Sequence, residues 1–209
     1  PNTMTKIVKA QMQEKREKDL AEFEASLLIK EEESYWQNFF EHKKWIFGYG
    51  LNYKILQEIQ SQPNYGGTSM NGEGGERGDY LTTTSGTYKY TVLVEIKTPF
   101  TPLTSGAKPH HAGAWTLSTD LTNAITQLQA NIDTWNKEGS KQEENVDNLH
   151  QKQIYTVVPK GILIIGNQIE LSDSIQRKTF ERFRQNITGI EIITFDELYE
   201  RAKFIVNES

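Results

Sequence analysis

Cysteine is absent from the 209-residue chain, which excludes disulfide bonds and every zinc site that depends on thiolate ligands. Histidine is scarce, with four residues in the whole chain. The adjacent pair His110 and His111 points in different directions in an extended chain, so we interpret it as part of a surface loop rather than a chelating or DNA-contacting pair. A bound metal is therefore expected to be a hard cation held by oxygen atoms.

Long apolar runs are also missing. No segment approaches the roughly 18 apolar residues that a membrane-spanning helix needs, and no charged, apolar and small-residue signal precedes the first polar segment. We therefore expect a soluble, cytoplasmic protein that does not contact a membrane. Because the chain starts at Pro1, we also expect it to be a C-terminal piece or a processed product of a longer protein.

Size and charge restrict the remaining classes. The chain is long enough for one α/β domain with an appendage, or for two small domains. Its net charge of -5 argues against a basic protein that coats nucleic acid. It does not exclude an enzyme that contacts phosphate through a local groove.

The N-terminal third divides at about residue 30. Residues 5–33 are highly charged and carry a narrow apolar stripe of Leu20, Phe23 and Leu27, which predicts an exposed helix. We interpret residues 1–30 as a charged helical linker from a missing N-terminal region; an oligomerisation or interdomain helix is the alternative. The folded domain, 31–209, then begins with an aromatic face that core packing alone can explain. Glu33 is the one acid there that could point at a site.

The segment around Asp79 and Glu95 predicts a β-hairpin. Residues 80–84 and 88–97 read as two strands on either side of a short glycine-containing turn. Since the strands run antiparallel, Asp79 at the start of the first and Glu95 near the end of the second converge at one end. Lys97, two residues beyond Glu95, projects to the same face.

The second half of the chain predicts further elements of an α/β fold, a central mixed sheet flanked by helices. Ser118 caps an amphipathic helix in which Gln127 lies on the flank of the apolar stripe, either as a solvated residue or as part of a site. We expect a mobile loop at 139–153, a strand buried on both faces at 161–166, a helix opened by Ser172, a strand at 190–194 and a last helix at 195–206. Residues 45–59 predict one or two short strands, and the glycine-rich loop at 61–76 lacks the Gly-Lys-Ser/Thr ending of a P-loop.

The hairpin residues support one specific chemistry. Asp79 and Glu95 supply hard oxygen ligands, and the backbone carbonyl of Ile96 adds a third, a set that suits Mg²⁺ or Mn²⁺. Lys97 can orient a water molecule or stabilise the transition state, so metal-dependent phosphodiester hydrolysis is the implied reaction. The alternative is a structural salt-bridge cluster, because Asp, Glu and Lys on neighbouring strands often pair.

Asp79, then Glu95 and Lys97, and then a helix with Gln127 occur in the order of the PD-(D/E)xK nuclease motif. The chain therefore resembles the PD-(D/E)xK nuclease superfamily. More specifically, the chain is similar over about residues 30–206 to the C-terminal nuclease domain of the Shedu anti-phage defence proteins. The resemblance rests on the order of five segments: YWQNFF at 35–40, RGDYL at 77–81, VEIKTP at 94–99, GILIIG at 161–166 and IITFDEL at 192–198.

This resemblance implies a restriction-endonuclease-like core and a bacterial DNA endonuclease. Asp79 and Glu95 would bind the cation, Lys97 would assist catalysis, Gln127 would take the place of the helix glutamine and Glu33 that of the first-helix acid. The resemblance also implies homo-oligomers and a regulatory N-terminal domain. Two positions depart from the pattern: Gly78 stands where the superfamily has proline, and Asn131 stands where a tyrosine often follows the glutamine.

Two other functions remain open at this point. A catalytically inactive member of the same fold would bind DNA or assemble with partners through the basic helix at 177–184, and its affinity would fall steeply with salt. A hydrolase of some other phosphate ester is the third possibility.

Overall fold

The computed structural model describes residues 3–48, 56–61, 64–66, 76–77, 80–84, 89–106, 113–141 and 143–208. The α-helices in these ranges are α1 (Thr3–Ser26), α2 (Glu33–His42), α3 (Thr119–Lys137), α4 (Glu143–Gln151), α5 (Ser174–Asn186) and α6 (Phe195–Glu208). The strands are β1 (Leu56–Ser61), β2 (Asn64–Gly66), β3 (Glu76–Arg77), β4 (Tyr80–Thr84), β5 (Lys89–Ile96), β6 (Ile154–Ile164) and β7 (Ile190–Ile193). Short 3₁₀ helices occupy Lys44–Gly48, Gly139–Lys141 and Gln168–Glu170.

Five strands form a mixed sheet in the order β1-β4-β5-β6-β7. The predicted hairpin is confirmed, because β4 and β5 pair antiparallel with Leu81 opposite Leu93. The pairs β5–β6 and β6–β7 are parallel, so the C-terminal ends of these three strands lie at one edge of the sheet. We call this edge the site edge.

Helices cover both faces of the sheet, as the α/β prediction required. Successive side chains of a strand point to opposite faces, and in β5 this sends Val94 into a core formed with α1, α2 and α6. Leu93 points the other way, into a core formed with α3 and α5. Apolar side chains must therefore fill both faces of the central strands, which explains the continuous apolar run in β6.

The long helix α3 begins and packs as its sequence predicts. The hydroxyl of Ser118 accepts a hydrogen bond from the backbone N–H of Leu121 at 3.0 Å, which caps the helix. Its apolar stripe is buried against β6, where Gly161 allows a close approach. A Cβ atom at Gly161 would lie 2.9 Å from a methyl group of Leu128.

Three of the predicted elements differ in the structure. The mobile loop expected at 139–153 is wrong, because a 3₁₀ turn and α4 occupy most of it and Leu149 is buried. The segment 45–59 contains a 3₁₀ helix before β1 rather than strands alone. The cap of α5 is Asp173, not Ser172: its side chain accepts from the N–H of Ile175 at 2.5 Å.

The second half of α1 belongs to the core, which corrects the prediction of a solvated connector. Phe23 is fully buried, and its ring lies 5.8 Å from that of Trp36 and 5.6 Å from that of Phe40. Asp19 accepts a hydrogen bond from the indole N–H of Trp45 at 2.8 Å. The division of the chain at residue 30 stays a prediction, but packing continues across it.

Within the ranges described above, no helix combines the length and the apolar content that crossing a membrane requires.

Replacing Phe23 with alanine should destabilise the domain by about 3–5 kcal/mol, the usual cost of removing a buried phenylalanine ring. Urea denaturation followed by circular dichroism measures this change. Leu28→Ala is the matched control, because Leu28 is exposed and its truncation should change the free energy of unfolding by less than about 0.5 kcal/mol. Equal, small effects of the two substitutions would contradict the assignment of α1 to the core.

Candidate active site

Three charged side chains meet at the site edge. The ammonium nitrogen Nζ of Lys97 lies 3.0 Å from Oε1 of Glu95 and 3.3 Å from Oε2 of Glu33. We call Glu33, Glu95 and Lys97 the carboxylate–lysine cluster. Glu33 is 64 residues from Lys97 in the chain, so only the tertiary fold brings it there.

Two elements hold the cluster in place. Glu95 is the penultimate residue of β5 and lies opposite Leu163 of β6. The backbone N–H of Lys97, just beyond the strand, still donates to the carbonyl of Ile164 at 2.8 Å. Glu33 is the first residue of α2, and that helix is anchored by the buried ring of Trp36. The lysine and both acids are thus fixed by backbone hydrogen bonds and aromatic packing.

Glu95 is buried, with 4% of its surface exposed. Burial raises the pKa of its carboxyl group, the nearby Lys97 ammonium lowers it, and the charge of Glu33 raises it further; the net direction is upward. Glu95 therefore shares one ammonium with Glu33 while lying in a buried position, so holding Glu95 ionised costs free energy. A bound cation would offset this cost.

The chemistry of the donor set fits a hard divalent cation, since carboxylate oxygens are the ligands that Mg²⁺ and Mn²⁺ prefer. Of the three predicted ligands, two lie at the end of β5 at the site edge: the side chain of Glu95 and the backbone carbonyl of Ile96. Asp79, like its neighbour Gly78, lies outside the described residues. Within the described ranges, no group of three His, Cys, Asp or Glu side chains converges on one point, so the metal site stays a prediction.

Gln127 belongs to α3. Its side chain is exposed on α3, and no hydrogen bond between described residues joins it to Glu33, Glu95 or Lys97. Asn131, one turn later, is instead buried, and its side-chain nitrogen has no hydrogen-bond partner in the described part of the chain. The functional role of Gln127 therefore stays a prediction, as do the roles of the other predicted site residues.

Sequence analysis missed Glu170, which fixes the loop after Lys97. Its Oε1 accepts from the backbone N–H of Leu103 at 2.5 Å and of Thr104 at 3.4 Å. Burial raises the pKa of Glu170, while these two backbone hydrogen bonds partly counteract the shift. The available signal was an acid placed a few residues after a buried strand parallel to β5.

The basic helix α5 is less available to a ligand than its sequence indicates. The guanidinium of Arg184 pairs with Glu197 at 2.6 Å and with Glu181 at 2.6 Å. Arg182 donates to the backbone carbonyl of Gly113 at 2.7 Å. The ion pairs of Arg184 tie α5 to α6, so this arginine stabilises the fold.

Comparison with known proteins finds similarity over most of the chain, including the carboxylate–lysine cluster. The family model described as "Shedu protein SduA, C-terminal" matches residues 30–199. The chain is 29% identical to the Shedu protein SduA of Bacillus cereus (strain B4264) over 194 residues, which cover 90% of the chain. The match covers 49% of that relative, so the chain spans about half the length of the relative.

The raised pKa of Glu95 predicts how stability depends on pH. The folded state retains a proton that the unfolded state releases, so this contribution is fully present below the unfolded pKa and is lost as pH rises through the folded pKa. With a chelator present, Glu95→Gln should therefore be more stable than the parent at about pH 7, and this advantage should shrink toward about pH 4. Urea denaturation across this range measures it.

Glu197→Gln provides the opposite case. Burial raises the pKa of Glu197, but hydrogen bonds from Arg184 and Thr194 outweigh that effect and leave the pKa lowered. This variant should lose stability at neutral pH and approach the parent as the acid protonates. For the Glu95→Gln variant measured with chelator, a stability below that of the parent at neutral pH would contradict the electrostatic account of the site.

Proposed function

Because the chain belongs to the family of the C-terminal region of the Shedu protein SduA, we propose that it is a divalent-metal-dependent DNA endonuclease acting in bacterial defence against phage. The observation that carries the proposal is the convergence of Glu33, Glu95 and Lys97 at the C-terminal end of β5. The proposed core is of the PD-(D/E)xK type, in which this strand bears the catalytic acid and lysine.

Glu95, Asp79 and the carbonyl of Ile96 are the proposed ligands of Mg²⁺ or Mn²⁺. When bound, such an ion lowers the pKa of a coordinated water and offsets negative charge on the phosphodiester. The buried carboxylate of Glu95 supplies a strong ligand, because the low-dielectric surroundings that raise its pKa also strengthen its attraction to a cation.

Lys97 is the proposed catalytic cation. Its side chain is 18% exposed, so the ammonium is shielded by the fold while remaining accessible to a phosphate. There it can orient the attacking water or donate hydrogen bonds to a phosphoryl oxygen on which charge develops. Glu33 is a positioning residue in this scheme, since its carboxylate holds Nζ from the side of α2.

The proposal extends to partners. The substrate is DNA, the working protein is a cytoplasmic homo-oligomer, and a regulatory N-terminal domain belongs to the longer protein. Gln127 is proposed to contribute from the exposed face of α3 once DNA is bound.

A catalytically inactive DNA-binding or assembly module is the second candidate. It is favoured by the pairing of the Lys97 ammonium with two carboxylates, which is also what a purely structural ion-pair cluster contains. In that case the cluster would stabilise the fold without turnover.

Substitution of the cluster separates the two candidates. Lys97→Ala should lower Mg²⁺- or Mn²⁺-dependent nicking of plasmid DNA by roughly 100-fold or more, the usual cost of removing one group that stabilises transition-state charge. Glu95→Gln should abolish nicking and also weaken Mn²⁺ binding in calorimetry. Lys137→Ala is the control, because Lys137 is an exposed lysine whose ion pair with Asp133 lies on the surface.

Nicking that survives both cluster substitutions in proteins that remain folded would overturn the proposed function. DNA binding without cleavage under any divalent metal would assign the chain to the inactive class.

A further inference from the structure

Two apolar side chains project from the loops next to the carboxylate–lysine cluster. Phe100, three residues after Lys97, is 46% exposed. Ile169, in the 3₁₀ helix that follows β6, is 87% exposed. Single exposed apolar residues are ordinary on a protein surface. These two differ because hydrogen bonds fix the backbone that carries them.

A closed turn holds Phe100. The N–H of Thr101 donates to the carbonyl of Thr98 at 3.1 Å, and the N–H of Thr98 donates back to Oγ1 of Thr101 at 3.1 Å. The N–H of Phe100 itself donates to Oγ1 of Thr98 at 3.3 Å. These bonds fix the backbone, so the partial exposure of the ring is a built feature of the turn.

The backbone around Ile169 is fixed in the same way. Its N–H donates to the side-chain oxygen of Asn167 at 2.9 Å, and the N–H of Gln168 donates to Asp196 at 3.0 Å. Ile169 is therefore presented by a short capped helix that is tied to the start of α6.

The two loops are joined on both sides of these residues. The N–H of Gly166 donates to the carbonyl of Thr98 at 3.0 Å, and the N–H of Leu103 donates to Glu170. Gly166 is in the left-handed region (φ +64°), and a Cβ atom there would lie 2.6 Å from Leu103. Phe100 and Ile169 thus lie between the same two connections, at the site edge that bears Lys97.

A nucleotide combines the two chemistries found at this edge: an anionic phosphate, which suits Lys97, and a flat apolar base. Aromatic rings stack on bases whatever the sequence, and isoleucine and phenylalanine side chains act as wedges between base steps. In an intact duplex the base faces are stacked on one another. Contact with Phe100 and Ile169 therefore costs unstacking free energy in a paired duplex, and costs less where the bases are already unpaired.

We propose that Phe100 and Ile169 pack against bases beside the phosphate held at Lys97, and that the chain consequently prefers DNA with unpaired bases over a fully paired duplex. This inference rests on the proposed function, because it places DNA at the cluster. The occupant is DNA rather than a protein because the loop carrying Phe100 continues directly from the proposed catalytic lysine.

Binding measurements with the parent protein, in a chelator that prevents metal-dependent cleavage, test the inference without relying on turnover. The probes are two dumbbell oligonucleotides closed at both ends, one fully paired and one with a short internal mismatch bubble, compared by fluorescence anisotropy. The bubble should bind at least roughly tenfold more tightly, and Phe100→Ala should reduce its affinity roughly 5- to 100-fold, as expected for the loss of one stacking contact. Ile169→Ala should reduce the preference for the bubble.

Phe204→Ala is the matched control, because Phe204 is an aromatic residue of α6 that is 64% exposed; it should leave both affinities unchanged. Circular dichroism checks that each variant is folded. Equal affinity for the two dumbbells, no binding to either, or losses at Phe100 and Ile169 no larger than at Phe204 would overturn the inference. A change in oligomeric state without a change in DNA affinity would also overturn it, assigning the pair to a contact between copies.

The outcomes distinguish this inference from the proposed function. A parent protein that prefers the bubble but never cleaves DNA with Mg²⁺ or Mn²⁺ contradicts only the endonuclease activity. A parent that cleaves both dumbbells when Mg²⁺ or Mn²⁺ is present, but binds them equally in chelator, contradicts only the preference for unpaired bases.

Discussion

The buried carboxylate of Glu95 is the constraint on which the arrangement of the site depends. An acid at the end of a central strand, covered on both faces of the sheet, is held at a free-energy cost unless charge of the opposite sign lies nearby. Lys97 supplies that charge from just beyond the end of β5, two residues later in the chain. Glu33 then holds the ammonium from the other side, which requires α2 to begin at the site edge.

The position of α2 in turn depends on aromatic packing well away from the charges. Trp36 and Phe40 anchor the helix, and Phe23 of α1 lies against both rings. A helix that looks like a linker in the sequence thus supports a residue of the site. Residues outside the cluster also hold the loop that follows Lys97. Glu170 accepts a hydrogen bond from the backbone of Leu103, and Gly166 packs closely against Leu103.

Local patterns in the sequence were sufficient to predict the β4–β5 hairpin, the cap of α3 at Ser118 and the buried strand that became β6. Each depends on residues close together in the chain, so period and capping chemistry suffice. The contact between Glu33 and Lys97 was not predicted, because 64 residues separate the partners; sequence analysis singled out Glu33 only as an acid that could point at a site. The helix α4 was missed since its sequence is polar and Leu149 is its clearest buried anchor; Asp79 and Gln127 remain predictions.

Two ion-pair clusters in this chain, one around Arg184 and one around Glu95, differ in how well they compensate a buried carboxylate. The guanidinium of Arg184 directs hydrogen bonds to Glu181, Glu197 and the carbonyl of Ile192, and burial is outweighed so that the pKa of Glu197 falls. At Glu95 burial is not outweighed, and the pKa rises. Each cluster contains two carboxylates and one cation, but hydrogen bonds outweigh the burial of Glu197 and nothing outweighs the burial of Glu95. A buried carboxylate whose ionisation is not fully compensated lowers the stability of the isolated fold and favours a bound cation, which is why we propose the Glu95 cluster, and not the Arg184 cluster, as the metal site.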